Sequence, residues 1–158
     1  NLIATDNMLD LALLEVELKP KAFISFSKDE LKKRDLIIIA GYPLGKYLSD
    51  DLKINEGKIS SLKGFDNNSN EITVDLAINL GNSGGPIVNE NGQLVAVAVS
   101  GMSKEVTEGI SFGIKYSAVE NFLKSNKISP EIGLTSFSMN KDKVNKLLEE
   151  STIYIFCE

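Results

Sequence analysis

Hydrophobic and polar positions along the chain alternate mostly with a period of two, in short runs separated by turn residues. Residues 9–18 end in such an alternation, with Leu14, Val16 and Leu18 on one side and Glu15 and Glu17 on the other, which predicts a half-buried strand. Lys19-Pro20 ends it. Residues 22–26 predict a second short strand, and 28–34 a charged connection with room for one helical turn. Residues 36–40 are an unbroken apolar, β-branched run, the pattern of a strand buried on both faces. Gly41-Tyr42-Pro43-Leu44-Gly45 then turns the chain. The next strand is expected over 52–62, with Gly57 marking a bulge or a close backbone approach, and 65–70 is a polar hairpin tip. Further strands are expected over 71–77, 86–88, 93–100 and 109–114, separated by a tight turn at 89–92 and a polar loop at 102–108. Strands this short and this closely spaced predict an all-β barrel or sandwich.

The period then changes. Ser117 is placed to cap a helix with Glu120 three residues on, while Val119, Phe122 and Leu123 share a face. Pro130 follows the expected stop. A second helix over 141–150 carries Val144, Leu147 and Leu148 as its apolar positions, and 152–156 reads as a strand. This tail has three possible uses: covering an open barrel edge, pairing with a neighbouring chain, or starting a further domain.

One stretch is neither a good strand nor a good helix. Gly81-Asn82-Ser83-Gly84-Gly85-Pro86 places three glycines and a proline in six positions, between two apolar runs. Such a loop can serve as an ordinary hairpin turn. It can also present a serine hydroxyl as a nucleophile between buried strands.

The segment resembles the active-serine loop of trypsin-like (chymotrypsin-fold) serine proteases, and most of all their HtrA/Deg branch. Three more stretches extend the resemblance in the same order. Residues 6–17, Asp-Asn-Met-Leu-Asp-Leu-Ala-Leu-Leu-Glu-Val-Glu, are similar to the segment around the family's triad aspartate; Gly41–Gly45 resembles the turn opening the second barrel; Lys53–Ser60 resembles the strand after it. The resemblance runs from about residue 3 to about residue 122. It implies an all-β fold: a trypsin-like second barrel over 36–128 with its closing helix, a remnant of the first barrel and the inter-barrel connection over 1–35, and a helix–strand tail over 129–158 without a PDZ domain.

For the site, the resemblance implies Ser83 as nucleophile, the backbone N–H groups of Gly81 and Ser83 as oxyanion donors, and Asp10 as the residue that orients the base. Asp6 is expected to be a solvated loop residue. Ala98, Val99 and Ser100 would pair with substrate backbone by strand addition, and Ala77, Ile78, Ile110 and Ser111 would line the specificity pocket. No acidic residue lies at the pocket base, so a small or medium apolar side chain fits better than Lys or Arg. Each of these positions also reads as plain β core. The implied substrate is a peptide or unfolded protein, with no cofactor and no metal, and the compartment implied is periplasmic or secreted.

Composition changes this picture at one point. The chain of 158 residues, 42% hydrophobic and with a net charge of −5, suits one domain and argues against nucleic acid as a partner. No apolar run reaches membrane-spanning length and no leader is visible, though a removed leader would leave the same start. Cys157 is the one cysteine, expected to pack near the end of a strand, and histidine is absent altogether. The usual general base is therefore missing from these residues. Three explanations stay open: a truncated protease, a degenerate homologue that binds peptides without cleaving them, or a second chain that complements this one. A Ser–Lys dyad is a further alternative, but no lysine holds a position matched to the family. Half of a first barrel would leave strand edges and apolar surface exposed, favouring a homo-oligomer or a complementing chain.

Overall fold

The computed structural model describes residues 1–43, 51–76, 78–99, 110–134 and 139–155. Strand β1 (Leu2–Asp6) pairs antiparallel with β2 (Leu11–Leu14) in a separate two-stranded sheet. The strands β3 (Leu36–Gly41), β4 (Lys53–Ser61), β5 (Glu71–Val74), β6 (Pro86–Val88), β7 (Leu94–Val99) and β8 (Ser111–Lys115) form a closed barrel in the order β3-β4-β5-β8-β7-β6. Helix α1 (Tyr116–Ser125) follows β8 directly, and α2 (Lys141–Ser151) precedes the final described residues. The fold is thus the expected all-β barrel with two short helices. Among the described residues no helix is long and apolar enough to cross a membrane.

Alternation explains where each strand face goes. On β3, Ile37 and Ile39 point into the barrel with Ile59, Ile72, Val74 and Ile87. Ile38 and Ala40 face outward and are buried all the same, because Val144 and Leu148 of α2 cover them together with Val88. The run 36–40 is therefore buried on both faces, as its composition predicts. On β7, Ala96 and Ala98 lie in the barrel core, while Val97 and Val99 pack outside with Ile114, Ala118 and Val119. Gly57 supports a close approach: a Cβ there would meet Asp75 Oδ1 and Leu76 Cβ, both at 3.0 Å. The bulge between β4 and β5 falls instead near Ile59 and Ser61.

Several expectations are corrected. The first predicted strand stops at Leu14, and Leu14, Val16 and Leu18 are exposed; Leu9 and Leu11 are the leucines that pack against the barrel's outer cluster. Residues 22–26 form no strand. Phe26 alone bridges to Leu94 and Ile132, and 28–34 contains a turn but no helix. Ser117 does not cap α1: the N-cap is Lys115, without a side-chain bond. Residues 152–155 join no strand. The loop 102–108, Phe156 and Cys157 lie outside the described residues.

Helix α2 is held by a small number of groups. The Asn140 side chain accepts a hydrogen bond from Lys143 N, and the Thr152 N–H bonds Leu148 O at 2.9 Å. The Lys141 ammonium lies 2.9 Å from Glu56 Oε1, which holds its pKa above the usual lysine value, through the hydrogen bond first and the charge second. That pair is exposed and adds little; the buried contacts of Val144 and Leu148 carry the docking. Leu148→Ala is expected to lower unfolding free energy by about 2–5 kcal/mol, measured by urea denaturation, with exposed Lys146→Ala within about 0.5 kcal/mol of wild type. Equal stability of the two variants would mean that α2 is not docked on β3.

Candidate functional site

Three strands converge on the loop that carries Ser83. Asn82 N–H donates to Asn79 O at 3.0 Å and Gly85 N–H to Asn82 O at 2.9 Å, which folds the loop on itself. Gly81 and Gly84 take φ values of +94° and +81°, a region open to glycine. Strand β7 fixes the next residues: Gly84 N–H donates to Ala98 O at 2.8 Å, and Ala98 N–H donates to Gly85 O at 2.9 Å. Just after β3, Tyr42 N–H reaches Gly81 O at 3.2 Å. A Cβ on Gly85 would collide with the Ala40 carbonyl oxygen, and one on Gly41 would lie 2.5 Å from Asn82 Oδ1. The two backbones and the Asn82 side chain therefore touch where any larger residue would part them.

The result is an exposed Ser83 on a tightly tied loop. Among the described residues neither its hydroxyl nor the N–H groups of Gly81 and Ser83 makes a hydrogen bond. Asn82 beneath them is 3% exposed, and its Oδ1 has no partner. This buried amide was not legible in the sequence, because its neighbour Gly41 lies far away along the chain.

The other expected site residues fall into place unevenly. Ile78 N–H donates to the buried Ser111 Oγ at 2.9 Å, which ties together two of the residues expected to line a pocket, and Ile110 is exposed. Ala98 is buried and its N–H and C=O are both used by the serine loop; Val99 is half-buried. Ala77 and Ser100 lie outside the described residues. Asp10 is exposed in the turn between β1 and β2 at φ +52°, with no bond to a described residue, while its neighbours Leu9 and Leu11 pack in the cluster that holds Val97 and Val99. Asp6 is more than a solvated residue: its Oδ1 accepts from Met8 N at 2.9 Å and Leu9 N at 3.0 Å, shaping that turn.

A cleft of about 410 Å³ opens beside Ser83, between Gly41, Tyr42 and the serine loop on one wall and residues 151–155 on the other. No described lysine lines it. Lys115, whose pKa is lowered by burial and secondarily by Lys63, donates instead to Ser69 O at 2.7 Å, at the β4–β5 hairpin. It offers Ser83 no base.

The glycine contacts set different expectations for two neighbours. Gly85→Ala forces the loop away from β3 and is expected to cost about 2–4 kcal/mol. Gly84→Ala, with open space around it, meets only the positive-φ penalty of about 1 kcal/mol. Urea denaturation of both variants measures the difference, and a reversed order would refute the tie between Gly85 and Ala40.

Comparison with known proteins agrees with this fold. The model of the trypsin-like peptidase domain family matches residues 1–97. The chain is 31% identical over 170 residues to the serine protease Do-like HtrB of Bacillus subtilis, covering 98% of this chain and 36% of that protein. It is also 31% identical over 155 residues to a probable periplasmic serine endoprotease, DegP-like, of Pseudomonas fulva, covering 95% of this chain and 32% of the relative. The chain thus spans about a third of the length of these relatives. Among solved structures, the HtrA-type protease AlgW with a decapeptide superposes with a TM-score of 0.66 at 29% identity, over 79% of this chain and 39% of its own. The chain belongs to the trypsin-like peptidase domain family, in its HtrA branch.

Proposed function

We propose that these residues form the serine-bearing half of an endopeptidase that hydrolyses peptide or unfolded-protein substrates. The observation that carries the reading is the exposed Ser83 on a loop tied to β3 and β7, with the amides of Gly81 and Ser83 unbonded among the described residues, in a chain of the trypsin-like family. In this reading Ser83 Oγ attacks the substrate carbonyl carbon, and the two amides stabilise the oxygen as it becomes negative. The Ser83 proton passes to a base and from it to the leaving amine, with Asp10 holding the base in position. The 158 residues contain no histidine, so that base comes from outside them. Val99 pairs with the substrate backbone, joined by Ser100; Ala98 supports this wall while its own main chain holds the serine loop. Ala77, Ile78, Ile110 and Ser111 line an apolar specificity pocket.

The same reading assigns 1–35 to the end of a first barrel and the inter-barrel connection, 36–128 to the second barrel with α1, and 129–158 to an accessory tail. The exposed Leu2, Ile3 and Leu14 of the two-stranded sheet favour a covering partner, whether a further part of the protein, a complementing chain or a second copy. The DegP-like relative supports a periplasmic or secreted location.

The absence of histidine favours a second reading, a peptide-binding domain without turnover. Two measurements separate them. In the protein that naturally carries this segment, Ser83→Ala is expected to lower kcat/KM for peptide hydrolysis by about 10⁴–10⁶-fold. The 158-residue chain alone is expected to resist a serine-directed phosphonate, since Ser83 keeps its proton without a base. Peptide binding without hydrolysis in the natural protein would favour the second reading. Stoichiometric labelling of the isolated chain at Ser83 would refute the claim that the base lies outside it.

A further inference from the structure

Helix α2 ends where the serine cleft begins. Its buried residues Val144 and Leu148, 1% and 0% exposed, pack on the outward face of β3 beside Ala40, the residue before Gly41-Tyr42. The chain leaves the helix in an extended conformation at Thr152, with its N–H still bonded to Leu148 O. Residues 152–155 are thereby carried along the cleft wall opposite Ser83. The ring of Tyr154 meets that of Tyr42 edge-on, with centroids 5.6 Å apart at 76°. Tyr42 is in turn bonded through its N–H to Gly81 O, so the wall and the serine loop share one support.

Three properties of this cleft indicate what it takes. Ile153, Tyr154 and Ile155 remain 47%, 41% and 51% exposed, an apolar surface that further burial would stabilise. No described residue lining the cleft is charged, so among these residues a charged side chain entering it would lose water without gaining a partner. None of Ile78, Ala98, Val99, Ile110 and Ser111 lines it, so it lies on a different flank of Ser83 from the wall assigned to the acyl part of a substrate. The volume of about 410 Å³ stands open between the walls, which makes the tail a wall of the cleft and not its plug.

We infer that Tyr42 with Ile153, Tyr154 and Ile155 forms an apolar subsite on the leaving-group side of Ser83. Its occupant is the first side chain after the scissile bond of an extended peptide, and it selects apolar over acidic residues there. This rests on the endopeptidase reading of Ser83. The occupant follows from continuity: a peptide whose carbonyl lies at Ser83, with its acyl part on the Val99 side, continues into the one cleft that Ser83 itself lines among the pockets described.

The test is binding to the isotope-labelled chain, followed by amide chemical shifts. The probes are two tetrapeptide amides that mimic the leaving fragment, Leu-Ala-Ala-Gly and Asp-Ala-Ala-Gly, and an acyl-side control, acetyl-Ala-Ala-Val amide. The leucine peptide is expected to shift Tyr42, Gly84 and residues 153–155 and to bind about tenfold more tightly than the aspartate peptide. Tyr154→Ala and Ile155→Asp, both at half-exposed positions that folding tolerates, are expected to weaken the leucine peptide about tenfold and leave the control unchanged. Equal binding of the two leaving-side peptides, or no effect of either variant, overturns the subsite. If the control still shifts Val99, Ile110 and Ser111, the endopeptidase reading survives that failure. Tighter binding in Tyr154→Ala also overturns it, because the tail would then be a plug. If no probe shifts either flank of Ser83, the subsite and the reading beneath it fall together.

Discussion

The position of Ser83 depends on the backbone of a single buried alanine. Ala98 uses its N–H and its C=O on consecutive residues of the serine loop, at 2.9 and 2.8 Å, and its small side chain keeps β7 close inside the barrel. The opposite side of the loop rests on β3, where Gly85 passes the Ala40 carbonyl and Tyr42 N–H holds Gly81 O. Strands β3 and β7 are not neighbours in the barrel; β6 lies between them. The loop enters β6 at Pro86, so it is clamped from both flanks of the strand it feeds. A serine held this way is tied to a closed barrel rather than carried on a free surface turn.

Much of this barrel was legible in the residues, and the failures have identifiable causes. The apolar run 36–40 announced burial on both faces, but not that α2 would supply the outer cover, since that pairing joins residues far apart in sequence. The alternation at Leu14, Val16 and Leu18 announced one buried face of a strand. Alternation specifies two faces without saying which meets the core, and the packed leucines are Leu9 and Leu11, which reach the α1 side of β7. Ser117 looked like a helix cap with Glu120 behind it. Strand β8 runs directly into α1, so Lys115 is both the last strand residue and the cap, and Ser117 is already inside the helix. The glycines of the serine loop were legible as a motif, whereas Asn82 and Gly41 make sense only as a contact.

The tail illustrates the same limit from the other direction. Residues 152–155 have strand composition, yet a closed six-stranded barrel has no free edge for a seventh strand to join. With edge pairing unavailable, the apolar residues of the tail remain beside the surface to which α2 delivers them. Helix α2 therefore has two effects at once. It seals the outward face of β3, and by ending beside Ala40 it turns the next residues into a wall of the serine cleft.

The arrangement separates two requirements of a serine nucleophile. Holding the hydroxyl in place is a matter of backbone hydrogen bonds and glycine contacts with the barrel strands. Activating the hydroxyl is a matter of proton transfer, and no group among the described residues hydrogen-bonds to it. The segment that bears Asp10 packs through Leu9 and Leu11 in the cluster that holds Val97 and Val99 of β7, the same strand whose Ala98 main chain fixes the serine loop. A base oriented by Asp10 would thus be referenced to the same strand as the nucleophile it serves. This gives a physical reason for the two-stranded sheet to be docked where it is, although its own apolar face is left largely exposed. On the proposed reading, a proton acceptor oriented by Asp10 would meet a nucleophile already held by the barrel.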